Sequence, residues 1–488
     1  MTELPKAELP ARAGRTLIIN AEIDGLPGID VRVDTEQILA VGPRLPRRPG
    51  EPVLDAGGAA VLPGLHDHHV HLRAAVAARR SVRLDRITGP AAFDRTVRAT
   101  AAALRPGAWL RGVGWHEQTA GRLDRARLDA LVPDRPARVQ HRSGDLWVLN
   151  TPALEAVGGP DTDLDPVAVA TGQLWRLDGW LRERIAGHAD PQAFARDLGD
   201  LTAQAARAGV TGYTDATPGR DQTDVDVLSA LAEAGVVGQR LLLMTPPGLR
   251  PPDSPRVRLG AHKIILDDAG LPSESDLAEA IRAGHRRQVP VAIHCLTAEQ
   301  LVIATAALQL AGSGTAGSPA GDRIEHAGVV PPGYAQLLRR LGVAVVTQPG
   351  FIADRGDDYL RDVPAPEQPW LYPCGSLLRS GVAVAAATDT PFGPADPWLS
   401  IAAAVARRTA GGRILTPGER VDPVTALNLF LADPEDLGRT RRVRPGEHGD
   451  LCVLDRPLTE ALAQVVRDPG HNPVRTVVLG GRLIPAEG

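Results

Sequence analysis

Lysine is almost missing from this chain. Of 54 basic residues, only Lys6 and Lys263 are lysine, and the other 52 are arginine. Cysteine is scarce too, with three residues (Cys295, Cys374, Cys452) far apart and odd in number, which excludes a disulfide framework. Aromatics make up 3% and Met two residues of 488, so the few aromatic side chains carry information about where they sit. No window approaches the roughly 18 uninterrupted apolar residues of a membrane span. The start, MTELPKAELPARAG, lacks the basic-then-apolar pattern of a signal peptide. A formal charge of -4 gives no general attraction to nucleic acid or anionic membrane. The densest basic cluster, Gly438 to Gly446, reads as a solvated loop. These absences imply a reduced, cytoplasmic protein acting on a small molecule, with no nucleic-acid or membrane partner; a homodimer is compatible with them.

What is present is a run of alternating elements. Strand-like segments fall at 61–72, 209–217, 238–246, 259–268, 289–297, 322–330, 342–350 and 381–391. Helical spacing fills the gaps, as in SDLAEAIRAGHRR and PGYAQLLRRLG. Glycines before the strands in RAGVTG, RLGVAV and RSGVAV fit helix C-caps. Eight apolar strands alternating with helices predict an α/β fold, a (β/α)8 TIM-like barrel over 61–429. Residues 75–200 read as an insertion after the first strand, with strand candidates WLRGVGW and ARVQHRSGD. Alternating strands at both ends predict a small composite β-sandwich from 1–60 and 430–488.

The stretch GLHDHHVHL (Gly64 to Leu72) holds four of the chain's thirteen histidines. Side chains alternate in a strand, so Asp67, His69 and His71 share one face while His66 and His68 face the other way as outward packing or surface residues. Two imidazoles at i and i+2 can converge on a metal at a strand's C-terminal end. His294, His326 and Asp389 end three further strands, separated by 32 and 63 residues, that is, by one and two strand-helix units. Barrel enzymes build their sites on that rim. Singly, His294 reads equally as a core histidine and Asp389 as a helix N-cap. Lys263, inside LGAHKIILDD, is costly to bury unpaired. It reads either as a salt bridge to Asp267 or Asp268, or as an amine that reacts with CO2 to give a carbamate, whose two oxygens suit a pair of cations about 3.5–4 Å apart.

PGLHDHHVH resembles the PGxxDxHxH signature of the metal-dependent amidohydrolase superfamily, and Lys263, His294, His326 and Asp389 match its remaining ligands in order. ALVPDRP, HRSGDLWVLNTPAL, AHKIILDD and RPGEHGDLCVLD…TVVLGGRLI resemble the amidohydrolase family 3 branch, which includes N-substituted formamide deformylase. The resemblance implies a binuclear centre of two divalent ions, most often zinc, and hydrolysis of an amide-like C–N bond (amide, cyclic amide or N-formyl group). His69, His71 and Asp389 would hold one ion, His294 and His326 the other, with carboxylated Lys263 between them. A hydroxide between the ions would attack, with Asp389 moving its proton to the leaving nitrogen, and Asp67 would orient a ligand. The chain departs from the branch at Ser143-Gly144-Asp145, where SGH is usual, and at Cys295, after the strand-five histidine, which either approaches the metal or packs.

Trp115, His116, Asp145, Trp147, Tyr213, Gln348, Phe351 and Phe392 lie near strand ends or in the insertion and are candidate pocket walls, each equally readable as core. Asp145 in place of His favours a cationic or hydrogen-bond-donating substrate. Two other classes compete: a deaminase-type hydrolase attacking a ring amidine with one metal, against which Lys263 speaks, and a non-catalytic scaffold, against which the full ligand set speaks.

Overall fold

The computed structural model describes residues 14–85, 87–158, 163–185 and 190–486; Lys6 and the rest of the first thirteen residues lie outside them. The chain divides into two compact units, Met1–Leu72 with Leu198–Gly488, and Arg73–Asp197.

In the larger unit, apolar strands alternating with helices form an α/β TIM-barrel fold. The parallel strands follow chain order: Leu65–Val70, Val210–Asp215, Arg240–Leu243, a fourth in two segments (Val257–Leu259 and His262–Ile265), Val291–Cys295, Arg323–His326, Ala344–Thr347 and Val384–Ala386. The fourth strand breaks at Gly260-Ala261, its first segment pairing with the third strand and its second with the fifth. Beyond the eighth strand, Asp389 N donates to His69 O (3.0 Å) and His71 N donates to Thr390 O (2.9 Å), tying the chain there to the end of the first. Strand alternation sorts the side chains. Ile293, Cys295 and Ile324 join Ile281, Leu301 and Leu308 in the large cluster between strands and helices. Ala216, Met244, Ala261 and Ala292 form a separate layer of mostly small residues.

The helices begin and end where local chemistry dictates. Ser273 Oγ accepts Asp276 N (3.1 Å) at the start of Glu274–His285, and Thr297 and Gln300 form a reciprocal capping box on Ala298–Ala311. Gly209, Gly342 and Gly381, each just before a strand, have φ of +88°, +65° and +77°, a region other residues enter at a steric cost.

Both chain ends contribute sheets. Arg15–Ile23, Leu26–Asp34, Ile38–Gly42 and Val53–Asp55 form one; Val61–Pro63 joins Leu451–Leu454, Val474–Leu479 and Arg482–Pro485 in another. Ile18, Val31, Val61, Leu451 and Val478 share one apolar cluster between them. The basic cluster at 438–446 is not wholly solvated. Arg441 is buried, its guanidinium donating to the carbonyls of Ala432 and Phe430 (both 3.3 Å).

The smaller unit carries a five-stranded sheet made of Val82–Arg83, Leu110–Trp115, Ala137–His141, Leu146–Leu149 and Gln173–Trp175, parallel over the first three strands and antiparallel over the rest. Its own core includes Phe93, Leu110, Trp115, Leu128 and Val139. Among the described residues, no helix is long and apolar enough to cross a membrane.

Candidate metal centre

The first barrel strand sets the geometry. His66 and His68 are buried, so the surface alternative for them falls. His66 Nε2 meets Thr214 Oγ1 at 2.9 Å, and the two rings pack at 4.6 Å between centroids. On the other face, His69 Nδ1 hydrogen-bonds Glu325 Oε2, while its Nε2 faces Lys263 Nζ (3.4 Å) and Asp389 Oδ1 (3.7 Å). His71 Nε2 lies 3.3 Å from the same Asp389 oxygen. The ligand atoms of His69, His71 and Asp389 all fall within 4.8 Å of one another.

His326 and His294 complete the group. Their ring centroids are 4.5 Å apart, and His326 lies 4.8 Å from His69. Alternation alone would give His326 the outward face of Ile324; instead its φ is +69°, and Asp389 has φ of +56°. Such non-glycine conformations cost about 1–3 kcal/mol each and collect at functional sites. His326 Nδ1 donates to Gln348 Oε1 (2.9 Å), which leaves its Nε2 lone pair open. Gln348 therefore holds the His326 ring in place.

The electrostatics favour a cation. Burial lowers the His69 and His294 imidazoles to about 4 and about 3, and pushes His326 well below its ordinary value, so all three are neutral donors. Burial alone would raise Asp389, but contact with His71 and the neighbouring imidazoles outweigh it and hold the carboxylate below its usual range. Among the described residues its buried Oδ1 accepts no hydrogen bond, the His71 contact being misaligned for one. Uncharged imidazoles around a charged, unsatisfied carboxylate oxygen are a donor set that fits a divalent metal. Lys263 is buried and its ammonium is lowered by desolvation to about 8. Its hydrogen-bond partner is His69 and not Asp268, which takes Gln300 Nε2 (2.7 Å) and Thr297 Oγ1 (3.3 Å); the salt-bridge reading of Lys263 with Asp268 falls.

Sequence reasoning missed Glu325 and Arg323. Glu325 is fully buried, ion-paired to Arg323 Nε, and held well below the carboxylate range because Arg323 and His69 outweigh burial. Arg323 also donates to His68 O (2.8 Å). Two charges at i and i+2 inside the strand RIEH were the available signal. Asp67 accepts Thr388 N (2.9 Å) and Thr388 Oγ1 (2.5 Å), so it fixes the segment that carries Asp389; burial raises its carboxyl to about 7.

The expected pocket walls mostly serve packing. Tyr213 is buried, with its hydroxyl raised by desolvation. Phe351 is buried edge-to-face against Tyr372 at 5.6 Å. Cys295 packs in the strand–helix core, its thiol raised by burial. Phe392 is exposed, its ring edge-to-face with His71 at 5.4 Å. The remaining candidates lie in the smaller unit. Trp115 is core there, its indole N–H donating to Gly121 O (3.0 Å), and Trp147 donates to Asp178 (2.7 Å). Asp145 is exposed. His116, Glu117 and His141 converge within 4.8 Å. His116 Nδ1 and His141 Nδ1 accept the backbone N–H of Gln118 and Ser143 (both 3.1 Å), which places the imidazole protons on Nε2. From there His141 donates to Glu117 at 3.2 Å, so this group is a hydrogen-bonded clasp and not a set of free lone pairs.

Known proteins match most of the chain. The chain is 25% identical to the N-substituted formamide deformylase of Arthrobacter pascens over 490 aligned positions, 86% of this chain and 88% of the relative. Two solved structures share the fold. An uncharacterized metal-dependent hydrolase from Pyrococcus horikoshii OT3 has a TM-score of 0.73 at 19% identity, covering 91% of this chain and 97% of that one. An uncharacterized metal-dependent hydrolase from Pyrococcus furiosus has a TM-score of 0.70 at 21% identity, covering 89% and 97%. The sequence profile of the Amidohydrolase family matches residues 52–485, so the chain belongs to that family, in its family 3 branch, and is a hydrolytic enzyme acting on C–N bonds other than peptide bonds.

Proposed function

We propose that the enzyme hydrolyses an amide-like C–N bond of a small molecule (an amide, a cyclic amide or an N-formyl group) with two divalent metal ions, zinc by donor type. The observation that carries this is the convergence of neutral His69, His294 and His326 with ionised, unsatisfied Asp389. The likeness to the N-substituted formamide deformylase of Arthrobacter pascens supports the N-formyl option. His69, His71 and Asp389 would hold one ion, His294 and His326 the other. Lys263, whose lowered ammonium supplies a share of free amine near neutral pH, would join them as the carbamate R–NH–COO⁻ formed with CO2, releasing one proton. Bound ions supply water acidified to a pKa of about 7 and polarise the scissile carbonyl. Asp389 takes the proton of the attacking water and delivers it to the leaving nitrogen as the C–N bond breaks. Glu325 and Gln348 keep the Nδ1 protons of His69 and His326 in place.

The compact three-residue group His69, His71 and Asp389 also suits a single ion, as a deaminase-type hydrolase of a ring amidine would use. Elemental analysis of protein prepared without chelators and with bicarbonate separates the two. About two equivalents, falling in Lys263→Ala, support the two-ion reading. One equivalent, unaffected by Lys263→Ala, supports the single ion, and no metal after reconstitution overturns both.

A further inference from the structure

Above the metal centre the strand faces turn apolar. Lys263 and Ile265 share a face of the fourth strand, and Ile265 is in parallel register with His294. Leu296 lies just past the end of the fifth strand, two residues beyond His294, and is exposed. Phe392 sets its ring against His71, 5.4 Å between centroids. All three are among the chain's exposed large apolar residues, at 47% for Ile265, 40% for Leu296 and 41% for Phe392. Ile265 and Leu296 thus each follow a metal-ligand candidate by two residues at a strand's C-terminal end, and Phe392 packs on a third, at the end of a barrel where substrates enter. Asp268 takes Gln300 and Thr297, Arg355 donates to Phe392 O, and Arg220 pairs with Asp215 at 2.9 Å. Exposed apolar side chains beside a polar centre mark binding surface, and ligand sites are mostly apolar with a few placed polar groups.

We propose that Ile265, Leu296 and Phe392 form an apolar collar over the metal centre and select a substrate whose group beside the scissile C–N bond is alkyl or aryl, uncharged. The proposal rests on the hydrolase reading above.

The test is titration calorimetry of the metal-loaded protein with acetohydroxamate, hexanohydroxamate and the monohydroxamate of adipic acid, whose tail ends in a carboxylate. The hydroxamate oxygens anchor on the ions and the tail reports on the collar. Affinity is expected to rise about 3- to 4-fold per buried methylene from acetohydroxamate to hexanohydroxamate. The carboxylate tail should forfeit that gain. Leu296→Ala and Ile265→Ala should each reduce the gain and leave acetohydroxamate affinity unchanged; Phe392→Ala, which also removes a ring packed on His71, should reduce the gain. Equal affinity for the two alkyl tails, tighter binding of the carboxylate tail, or a gain that survives all three substitutions overturns the collar. Acetohydroxamate that binds metal-stripped and loaded protein equally overturns the hydrolytic centre, and the collar with it.

Discussion

His66 and His68 share one side of the first barrel strand, and His69 and His71 share the other. Burial strips the charge from His66 and His68 as it does from His69, so neutrality does not distinguish the two sides. The surroundings of the ring nitrogens do. Among the described residues His68 finds a partner for neither nitrogen, and His66 has Thr214. His69 is held at Nδ1 by a buried carboxylate, with its other nitrogen turned toward Lys263 and Asp389. Desolvation makes an imidazole a neutral base; a carboxylate behind it fixes which nitrogen offers the lone pair, and that suits it to bind a metal.

The same substitution on either side gives the largest contrast. His69→Leu should lose at least one metal equivalent and lower turnover roughly 10³-fold, the several kcal/mol a Lewis acid contributes. His68→Leu removes two unsatisfied buried nitrogens at similar volume, so metal content, turnover and Tm should hold. Equal damage from both, read by elemental analysis and thermal melts, would erase the distinction. Next in size is Glu325→Gln, which leaves His69 in place but weakens the group that aims it. Metal affinity, titrated against a competing chelator, should fall about 10- to 100-fold. Unchanged affinity would assign Glu325 to the Arg323 ion pair alone.

Those two residues mark the limit of what the sequence shows. The barrel was legible because apolar strands and amphipathic helices alternate with regular spacing, and His69, His71, His294, His326 and Asp389 could be singled out because each falls near or just past the end of a strand. Glu325 is 256 residues from His69, and only the folded arrangement brings them together. Gln348 looked like a pocket wall because it ends the seventh strand, but its amide carbonyl is spent on His326. Tyr213, inside the second strand, and Phe351, in the helix after the seventh, are enclosed by neighbours that the pattern of apolar residues does not reveal. The break in the fourth strand at Gly260-Ala261 was hidden because the apolar run continues through it.

Asp67 and His69, neighbours on the inner face, pull stability in opposite directions with pH. A His lowered from 6.5 to about 4 costs the folded state stability as pH falls from 6.5 toward 4. A carboxyl raised from 3.8 to about 7 does the reverse, contributing stability at low pH that is lost as pH rises through 7. In the metal-stripped protein the two offset each other. Asp67→Asn removes the second contribution, so its urea midpoint should fall more steeply than wild type between pH 7 and pH 4.5, by up to about 1.4 kcal/mol per pH unit. A parallel fall in both proteins would mean that Asp67 titrates normally.

The outer face can be disturbed without touching a ligand. Parallel register sets Gly212 beside His66, and a Cβ on Gly212 would lie 2.3 Å from His66 Nδ1 and 3.0 Å from its Cε1. The ring cannot swing clear without losing its bond to Thr214. Gly212→Ala should therefore cost about 1–3 kcal/mol, the usual range for overpacking, with metal content and turnover intact. Adding His66→Ala vacates the space the methyl needs, so the double variant should be less destabilised than the sum of the single ones, a coupling that contact predicts and distance would not. If Gly212→Ala instead released metal, the two faces of the strand would be mechanically one, and the separation between packing histidines and ligand histidines would have to be given up.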